Sequence, residues 1–306
     1  MRRRRAVARL RLVSLFAVGL VGGVGLGLSA GLPSAGKAAL LTDAAPLPPA
    51  IAPAAAPPAV ALAIPHRFAP GPARPRPRIA VVIDDLGLDR AAFDRTNALP
   101  GPLTLAFLPY GQDAQAMLDA TRSVHETLLH LPTEPTVRRE DAGPDMLRPG
   151  PPAAILGALN ANLAKLSGYD GVNNHTGSLF TSDPAAMAVL LDALDARGLY
   201  FLDSVTTLRP VARRLAESEG WRVAERDVFL DDDYAAGEAL VRARLAEAER
   251  IARERGSAVV IGHPYKATAR ALGPWLVTAQ ARGFDLVTVS ELVPEAAPPR
   301  TTTALR

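Results

Sequence analysis

The sequence predicts a single α/β domain whose parallel strands form an irregular (β/α) barrel of about seven strands. Short apolar runs alternate with helical patterns about seven or eight times between residues 79 and 293. The runs are continuously apolar, as expected of parallel strands that are covered on both faces. This stretch is shorter than the about 250 residues of a regular barrel, so an incomplete barrel fits better, with an open doubly wound sheet as the alternative.

The strands are predicted where a short apolar run ends at turn-forming or polar residues. Eight runs meet this description: Ile79–Ile83, Leu103–Leu108, Thr127–Leu131, Tyr169–Val172, Leu199–Leu202, Val228–Leu230, Ala258–Ile261 and Asp285–Val289. The sequence that contains these runs shows no internal repeat. The strands therefore belong to one domain and not to a repeat array.

Helices are predicted between the strands from amphipathic spacing and from residues that start and stop helices. Pro184 stands at a first-turn position after a capping Asp, whereas glycines follow several of the predicted ends. The helices cover Asp113–Arg122, Ala153–Leu166, Pro184–Arg197, Pro210–Gly220, Ala239–Arg255 and Thr268–Arg282.

The N-terminal part has the composition of an export segment followed by a linker. Arg-rich residues precede an uncharged run of 21 residues, Leu12–Leu32, and roughly 20 apolar residues are enough to span a bilayer. Residues 1–41 are predicted to be a signal peptide or an N-terminal membrane anchor, with the rest exported. Residues 42–78 hold 11 of the 28 Pro and form a predicted disordered linker. The domain then covers 79–295, and 296–306 is a predicted disordered tail.

Charge and cysteine content exclude several classes of protein. Residues 1–78 hold ten Arg and Lys37 against Asp43 alone, a net charge of +10, whereas residues 79–306 hold 23 basic and 30 acidic residues, a net charge of −7. An acidic domain without a basic cluster is not expected to bind nucleic acid. The absence of Cys excludes disulfides, iron–sulfur sites and a thiol nucleophile.

Candidate functional residues follow the predicted strands, at the carboxyl ends where parallel α/β folds place their sites. Carboxylates and imidazoles that converge from several strands can hold a divalent metal beside an acid–base pair. Glu126 shares a strand face with His130, whereas His125 does not. The candidates are Asp84, Asp85, Glu126, His130, Asn174, His175, Asp203 and His263.

Each candidate also has a structural interpretation. Asp84 and Asp85 can cap the following helix, and His263 can be a hydrogen-bonded buried imidazole. His175 lies in a polar turn where a solvated histidine is common. The acidic run Asp231–Asp233 is interpreted as a solvated turn. The case for a site therefore depends on several of these side chains meeting at one place.

Six ordered sequence blocks resemble the divergent polysaccharide deacetylases, within the carbohydrate deacetylase superfamily. The resemblance covers residues 79–293 and implies a distorted (β/α) barrel of the glycoside hydrolase/deacetylase type. The blocks are IAVVIDDLG at 79–87, HE with LHLP within 125–132, GVNNH with GS within 171–178, LYFLDS at 199–204, RDVFLD at 226–231 and IGHP at 261–264.

The resemblance implies roles for individual residues. Asp84 would be the general base, Asp85 a metal ligand and His263 the general acid. The superfamily takes two further ligands from a His-x-x-x-His turn, which this sequence lacks, so His130 and His175 are assigned from two different strands. Three further residues are assigned either to the second shell of the metal site or to contacts with the substrate: Glu126, Asn174 and Asp203. The implied cofactor is a divalent metal, with zinc preferred.

The resemblance implies a metal-dependent hydrolase that removes acetyl groups from an N-acetylated envelope polysaccharide. The N-terminal segment adds the expectation of a periplasmic location, either secreted or tethered to the inner membrane. The alternative is a non-catalytic envelope protein that binds a glycan or a partner on the same fold. A phosphohydrolase with Asp84 as nucleophile ranks lower, because such enzymes usually carry Asp-x-Asp after the strand. Five aromatic residues are candidates for a sugar groove or for the core: Tyr110, Tyr200, Tyr234, Tyr265 and Trp275.

Overall fold

The computed structural model of the protein describes residues 75–293. The predicted signal peptide or anchor at 1–41, nearly all of the linker and the tail at 296–306 therefore lie outside the described residues. Within 75–293, no helix is both long and apolar enough to cross a membrane.

Nine strands and seven α-helices make up the described domain. The strands are β1 Arg78–Leu86, β2 Thr104–Phe107, β3 Glu126–Thr133, β4 Gly171–Thr176, β5 Tyr200–Asp203, β6 Val223–Glu225, β7 Val228–Phe229, β8 Ser257–Gly262 and β9 Asp285–Val287. The helices are α1 Arg90–Asn97, α2 Ala114–Thr121, α3 Pro152–Leu163, α4 Pro184–Asp195, α5 Ala212–Glu219, α6 Gly237–Arg255 and α7 Lys266–Ala279.

Two of these elements, α1 and β6, were not predicted. Helix α1 has only eight residues and buries only Ala92, Phe93 and Thr96, so its apolar stripe is too short to show helical periodicity. Its start is nevertheless fixed by Asp89, whose side chain accepts hydrogen bonds from the N–H groups of Ala91 and Ala92. Strand β6 has three residues, all half-buried.

The strands form one parallel sheet in the order β6-β5-β4-β3-β2-β1-β8-β7. Strand β9 lies beside the first residues of β1, on the side that β2 takes farther along. The end strands β6 and β7 are separated in the chain only by Arg226 and Asp227. The N–H of Arg226 bonds to the carbonyl of Asp203 in β5, and the N–H of Asp227 bonds to that of Val259 in β8.

One continuous segment, 223–229, therefore joins both edges of the sheet. Counting that segment once, the barrel wall consists of seven parallel strands: β1, β2, β3, β4, β5, β6–β7 and β8. The predicted irregular (β/α) barrel is confirmed, and the doubly wound alternative is excluded.

Alternate residues of each strand face opposite sides of the wall. Residues such as Val81 and Ile83 pack outward against the helices in the larger apolar core. A second core fills the barrel interior, and its members include Val82, Leu128 and Ile261. The next interior positions toward the carboxyl ends of the strands are polar. This second core therefore forms the floor of a cavity at that end of the barrel.

Glu126 lies at the amino end of β3, on the opposite side of the second core from the polar positions. Its Oε2 accepts a hydrogen bond of 2.7 Å from the hydroxyl of Thr104 and one of 2.9 Å from the N–H of Val289. Leu128 separates it from His130 on the same face, and four strand residues span about 13 Å. The predicted role of Glu126 beside the site is therefore wrong: strand parity placed it on the correct face but at the wrong end of the barrel.

Candidate functional site

The polar interior residues at the carboxyl ends of β1, β3, β4 and β8 converge on one cavity of about 490 Å³. Asp84 continues the interior row of β1, His130 that of β3, and His263 that of β8. The cavity is lined by Asp84, Asp85, His130, Arg139, Asp141, Asn174, His175, Thr176, Ser204, Val205, Thr206, Arg226, Phe229, Asp231, Asp232, Tyr234, Ile261, His263 and Tyr265.

A bulge in β1 brings two consecutive carboxylates to this cavity. On a regular strand, Asp84 and Asp85 would point to opposite faces. The pairing of β1 with β2 shifts register between Ile83 and Leu86, and Asp85 has a φ of 59°. A left-handed backbone at a non-glycine residue typically costs about 1–3 kcal/mol and is common at functional sites. The bulge and this turn direct both side chains inward.

Three potential metal-ligating groups meet at the floor of the cavity. Oδ1 of Asp85 lies 3.2 Å from Nε2 of His130 and 3.0 Å from Nδ1 of His175. The two imidazole nitrogens are 3.2 Å apart. One ligand atom from each of the three residues lies within 4.8 Å of the others, which is close enough for all three to bind one ion.

The hydrogen bonds on the far side of each imidazole assign its protons. Nδ1 of His130 lies 2.9 Å from the amide oxygen of Asn173. Nε2 of His175 lies 2.7 Å from the backbone carbonyl of Asp141. Since both partners only accept, each of these nitrogens carries a proton, and the lone pairs of neutral His130 and His175 point toward Asp85.

Two lone pairs and a carboxylate oxygen therefore face one another. The buried Oδ1 of Asp85 has no hydrogen-bond partner within 75–293, and a buried unpaired acceptor is costly. This arrangement fits a cation that accepts all three atoms. Two His and one carboxylate are also the protein ligands of several catalytic zinc sites.

The pKa values of Asp85 and His130 also favour positive charge between them, whether a proton or a bound cation carries it. Burial acts to raise the pKa of Asp85, but His130 and His175 beside it hold that pKa well below its usual range. Burial acts to lower the pKa of His130, but Asp84 and Asp85 raise it overall. Positive charge is therefore favoured at this point of the cavity.

The turn after β4 holds His175 in place. Gly177 follows with a φ of 95°, and a Cβ there would lie 2.1 Å from the hydroxyl oxygen of Thr133. That hydroxyl donates a hydrogen bond to the carbonyl of His175. Glycine is required here because any side chain would separate the ends of β3 and β4.

Asp84 is the second carboxylate of the cavity and is almost fully buried. Its Oδ1 accepts a 2.8 Å hydrogen bond from the amide nitrogen of Asn173. Its Oδ2 lies 3.8 Å from Nε2 of His130. Burial raises the pKa of Asp84 above its ordinary value, so its carboxylate is a stronger proton acceptor than an exposed one.

His263 lies across the cavity and forms a pair with Asp231. Nδ1 of His263 lies 2.9 Å from Oδ1 of Asp231, whose Oδ2 accepts from the N–H of His263 and the hydroxyl of Thr268. Burial acts to lower the pKa of His263, but the bond to Asp231 and the charge of Asp85 raise it to about 9. His263 is therefore protonated at neutral pH, with Nε2 3.7 Å from Oδ2 of Asp85.

Five of the predicted site residues are brought together by the structure: Asp84, Asp85, His130, His175 and His263. Asn174 also lines the cavity, where its amide oxygen accepts from the N–H of Ser204 and thereby links the ends of β4 and β5.

Asp203 is not part of the cavity wall. It shares the outward face of β5 with Phe201, and its Oδ1 accepts a hydrogen bond from the N–H of Val205. Burial raises its pKa to about 6. Asp203 therefore does not contact the cavity itself, and its predicted role in the second shell of the site stays a prediction, since it bonds to the N–H of Val205 in the cavity wall.

Two residues that contact the predicted ones were missed. Asn173 connects Asp84 with His130, and its position two residues before His175 on the same strand face is a signal that parity could have used. Asp231 was interpreted as a solvated turn but is buried against His263. Its signal was weaker, since it required knowing that β7 pairs with β8.

The sequence is similar to one protein family and to two bacterial proteins. The family profile described as divergent polysaccharide deacetylase matches residues 81–293. The chain is 36% identical over 197 residues to the uncharacterized protein YibQ of Escherichia coli K12, which covers 64% of this chain and 61% of that protein. It is 36% identical over 192 residues to an uncharacterized protein of Haemophilus influenzae, with coverage of 61% and 66%. The chain thus spans less than two thirds of the length of the E. coli relative.

A solved structure has a similar fold. The uncharacterized protein ATU2773 of Agrobacterium tumefaciens C58 superposes with a TM-score of 0.68 at 30% identity. The superposition covers 73% of this chain and 92% of that one. The likeness therefore extends over nearly all of the described barrel.

Proposed function

The chain belongs to the divergent polysaccharide deacetylase family, and from this premise we propose that it is a metal-dependent hydrolase. Its proposed reaction is removal of acetyl groups from an N-acetylated polysaccharide of the cell envelope. The observation that carries the proposal is the placement of Asp84 near His130 and of His263 near Oδ2 of Asp85, whose unpaired Oδ1 faces the lone pairs of His130 and His175. Metal-assisted amide hydrolysis uses this combination of a base, an acid and a cation site.

The proton transfers follow from the two flanking residues. Asp84, with Oδ1 held by Asn173, takes a proton from the attacking water as its oxygen bonds to the amide carbon. His263 donates the proton on Nε2 to the nitrogen as the C–N bond breaks, which releases acetate and a free amine. Asp231 holds the other ring nitrogen of His263 and keeps the imidazole charged until that step.

Asp85, His130 and His175 would hold the metal, for which we propose zinc on the basis of one oxygen and two nitrogen donors. When bound, a divalent metal polarises a carbonyl group and acidifies water, which together contribute several kcal/mol of barrier reduction. Asn173 and the carbonyl of Asp141 orient the two imidazoles, as outer-shell partners do in metal sites.

A periplasmic setting completes the proposal. The Arg-rich start and the uncharged run at 12–32 support export, with the domain either released or tethered to the inner membrane. A domain in that compartment meets peptidoglycan, which is an N-acetylated polymer, and exported glycans. These features support an envelope polysaccharide as substrate.

Replacing the base tests the proposed reaction. Asp84→Asn keeps the shape of the side chain but cannot take a proton, so turnover is expected to fall by about 10²–10⁴-fold. The measurement is acetate release from chitotetraose and from purified peptidoglycan in the presence of zinc. Asp195→Asn, at an exposed position of α4, is the control and should match wild type. Equal turnover by Asp84→Asn, or no acetate release by the zinc-loaded wild type, would contradict the proposal.

Replacing Asp231 tests the role of His263 through pH. Wild-type kcat/KM is expected to fall as the pH rises through about 9, because His263 loses the proton it must donate. Asp231→Asn removes a negative charge that raises this pKa, so its alkaline limb is expected at lower pH. Asp192→Asn, exposed on α4, should leave the profile unchanged. An alkaline limb at the same pH in Asp231→Asn would contradict the pairing.

A further inference from the structure

Four aromatic rings that line the cavity are linked by ring-to-ring contacts, and the exposed Tyr234 stands at one end of this chain of contacts. The ring of Phe229 lies 5.4 Å from that of His263. The ring of Tyr265 stacks on that of His263, with ring centroids 5.4 Å apart and an interplanar angle of 29°. Tyr234 meets Tyr265 edge to face at 5.0 Å. The proposed general acid is thus continuous with an aromatic surface that ends at Tyr234.

Tyr234 is held at the rim although it contributes little to the core. Its residue is 71% exposed, and it begins a 3₁₀ helix, Tyr234–Ala236, that is capped by the side chain of Asp233. Neither the Tyr234 hydroxyl nor the Tyr265 hydroxyl forms a hydrogen bond within residues 75–293. Both rings line the cavity and meet edge to face with unpaired hydroxyls, whereas Tyr200 and Trp275 are buried in the cores.

We propose that Tyr234 and Tyr265 form a binding site for a sugar ring next to the one that carries the reacting amide. This inference rests on the proposed deacetylase function. His263 must reach the departing nitrogen, so the acetylated sugar lies against His263. Tyr234 is two ring-to-ring contacts away from His263, which places it under a neighbouring unit of the polymer.

The chemistry of the surface matches a sugar. A pyranose presents an apolar face of C–H groups and polar hydroxyl edges, and tyrosine combines an apolar ring with a polar tip. Exposed apolar surface with a polar rim is typical of ligand grooves. Here the rim is supplied by Asp232, Arg139 and Asp141, which line the same cavity. The site would therefore favour a chain of linked sugars over a single sugar.

Binding of chitotetraose to the full chain tests this site independently of turnover. Tyr234→Ala is expected to raise the dissociation constant about tenfold, because an aromatic contact with the sugar is removed. Tyr234→Phe keeps the ring and should bind within about twofold of wild type. Val277→Ala, at an exposed position of α7 outside the cavity, is the control. Calorimetric titrations measure the affinity, and thermal melts verify that each variant is folded.

The outcomes separate this inference from the proposed function. Weaker binding by Tyr234→Ala but not by Tyr234→Phe supports the sugar site even if wild type releases no acetate. Unchanged binding by Tyr234→Ala overturns the site, even if wild type does release acetate from chitotetraose. No binding of chitotetraose by wild type also overturns it.

Discussion

Asp85→Asn is expected to lose its tightly bound divalent metal and at least about a hundredfold of its turnover. Asp85 provides the only carboxylate oxygen that touches both imidazole nitrogens within the described domain. Asparagine is the suitable replacement because it tolerates the left-handed backbone of this position, where φ is 59°. The loss would therefore come from the missing charge and not from a refolded strand end.

Metal content and turnover should fall together in this variant. Plasma emission spectroscopy of the purified protein gives the metal content, and acetate release gives the turnover. Asp195→Asn should retain both. An Asp85→Asn variant that keeps one equivalent of metal and wild-type turnover would contradict the assignment of Asp85 as a ligand.

His263→Gln is expected to reduce turnover by about 10²–10⁴-fold while the metal stays bound. His263 donates a proton in the proposed reaction, and its ring lies beside the three ligands without being one of them. A variant that retains metal but not activity would separate the acid from the metal site. His125→Gln is the control, because His125 lies at the amino end of β3 and bonds to the carbonyl of Asn97.

The stability of the protein should also report the state of His263. Its pKa in the folded protein is raised from 6.5 to about 9, so the pair with Asp231 contributes fully below pH 6.5. That contribution is lost as the pH rises through about 9. The wild type should therefore lose stability relative to His263→Gln over this range, as measured by urea unfolding. Parallel curves would contradict a charged His263 at neutral pH. Wild-type turnover by His263→Gln would contradict its role as the general acid.

Most of the barrel could be predicted from sequence because parallel strands buried on both faces leave continuous apolar runs. Val81 and Val82 are one such pair, since one faces the helices and the other fills the barrel. Helix α1 and strand β6 left no such record because each is short and only partly buried. The closure of the wall by 223–229 depends on pairing between distant segments, which periodicity does not encode.

The site was predictable to the extent that strand ends and strand parity decide position. Parity placed His130 correctly, but it could not fix the depth of Glu126 within the barrel. A regular strand would have separated Asp84 from Asp85, and only the bulge in β1 brings both inward. Asp231 was missed because its partner, His263, is 32 residues away in the chain.

A crystal structure of the protein grown with zinc, with anomalous data collected at the zinc edge, tests the central claim most directly. The account predicts one anomalous peak within about 2.0–2.2 Å of a carboxylate oxygen of Asp85 and one ring nitrogen each of His130 and His175. His263 should remain outside the coordination sphere, bonded to Asp231. No peak between these three side chains, or a peak elsewhere in the barrel, would contradict it.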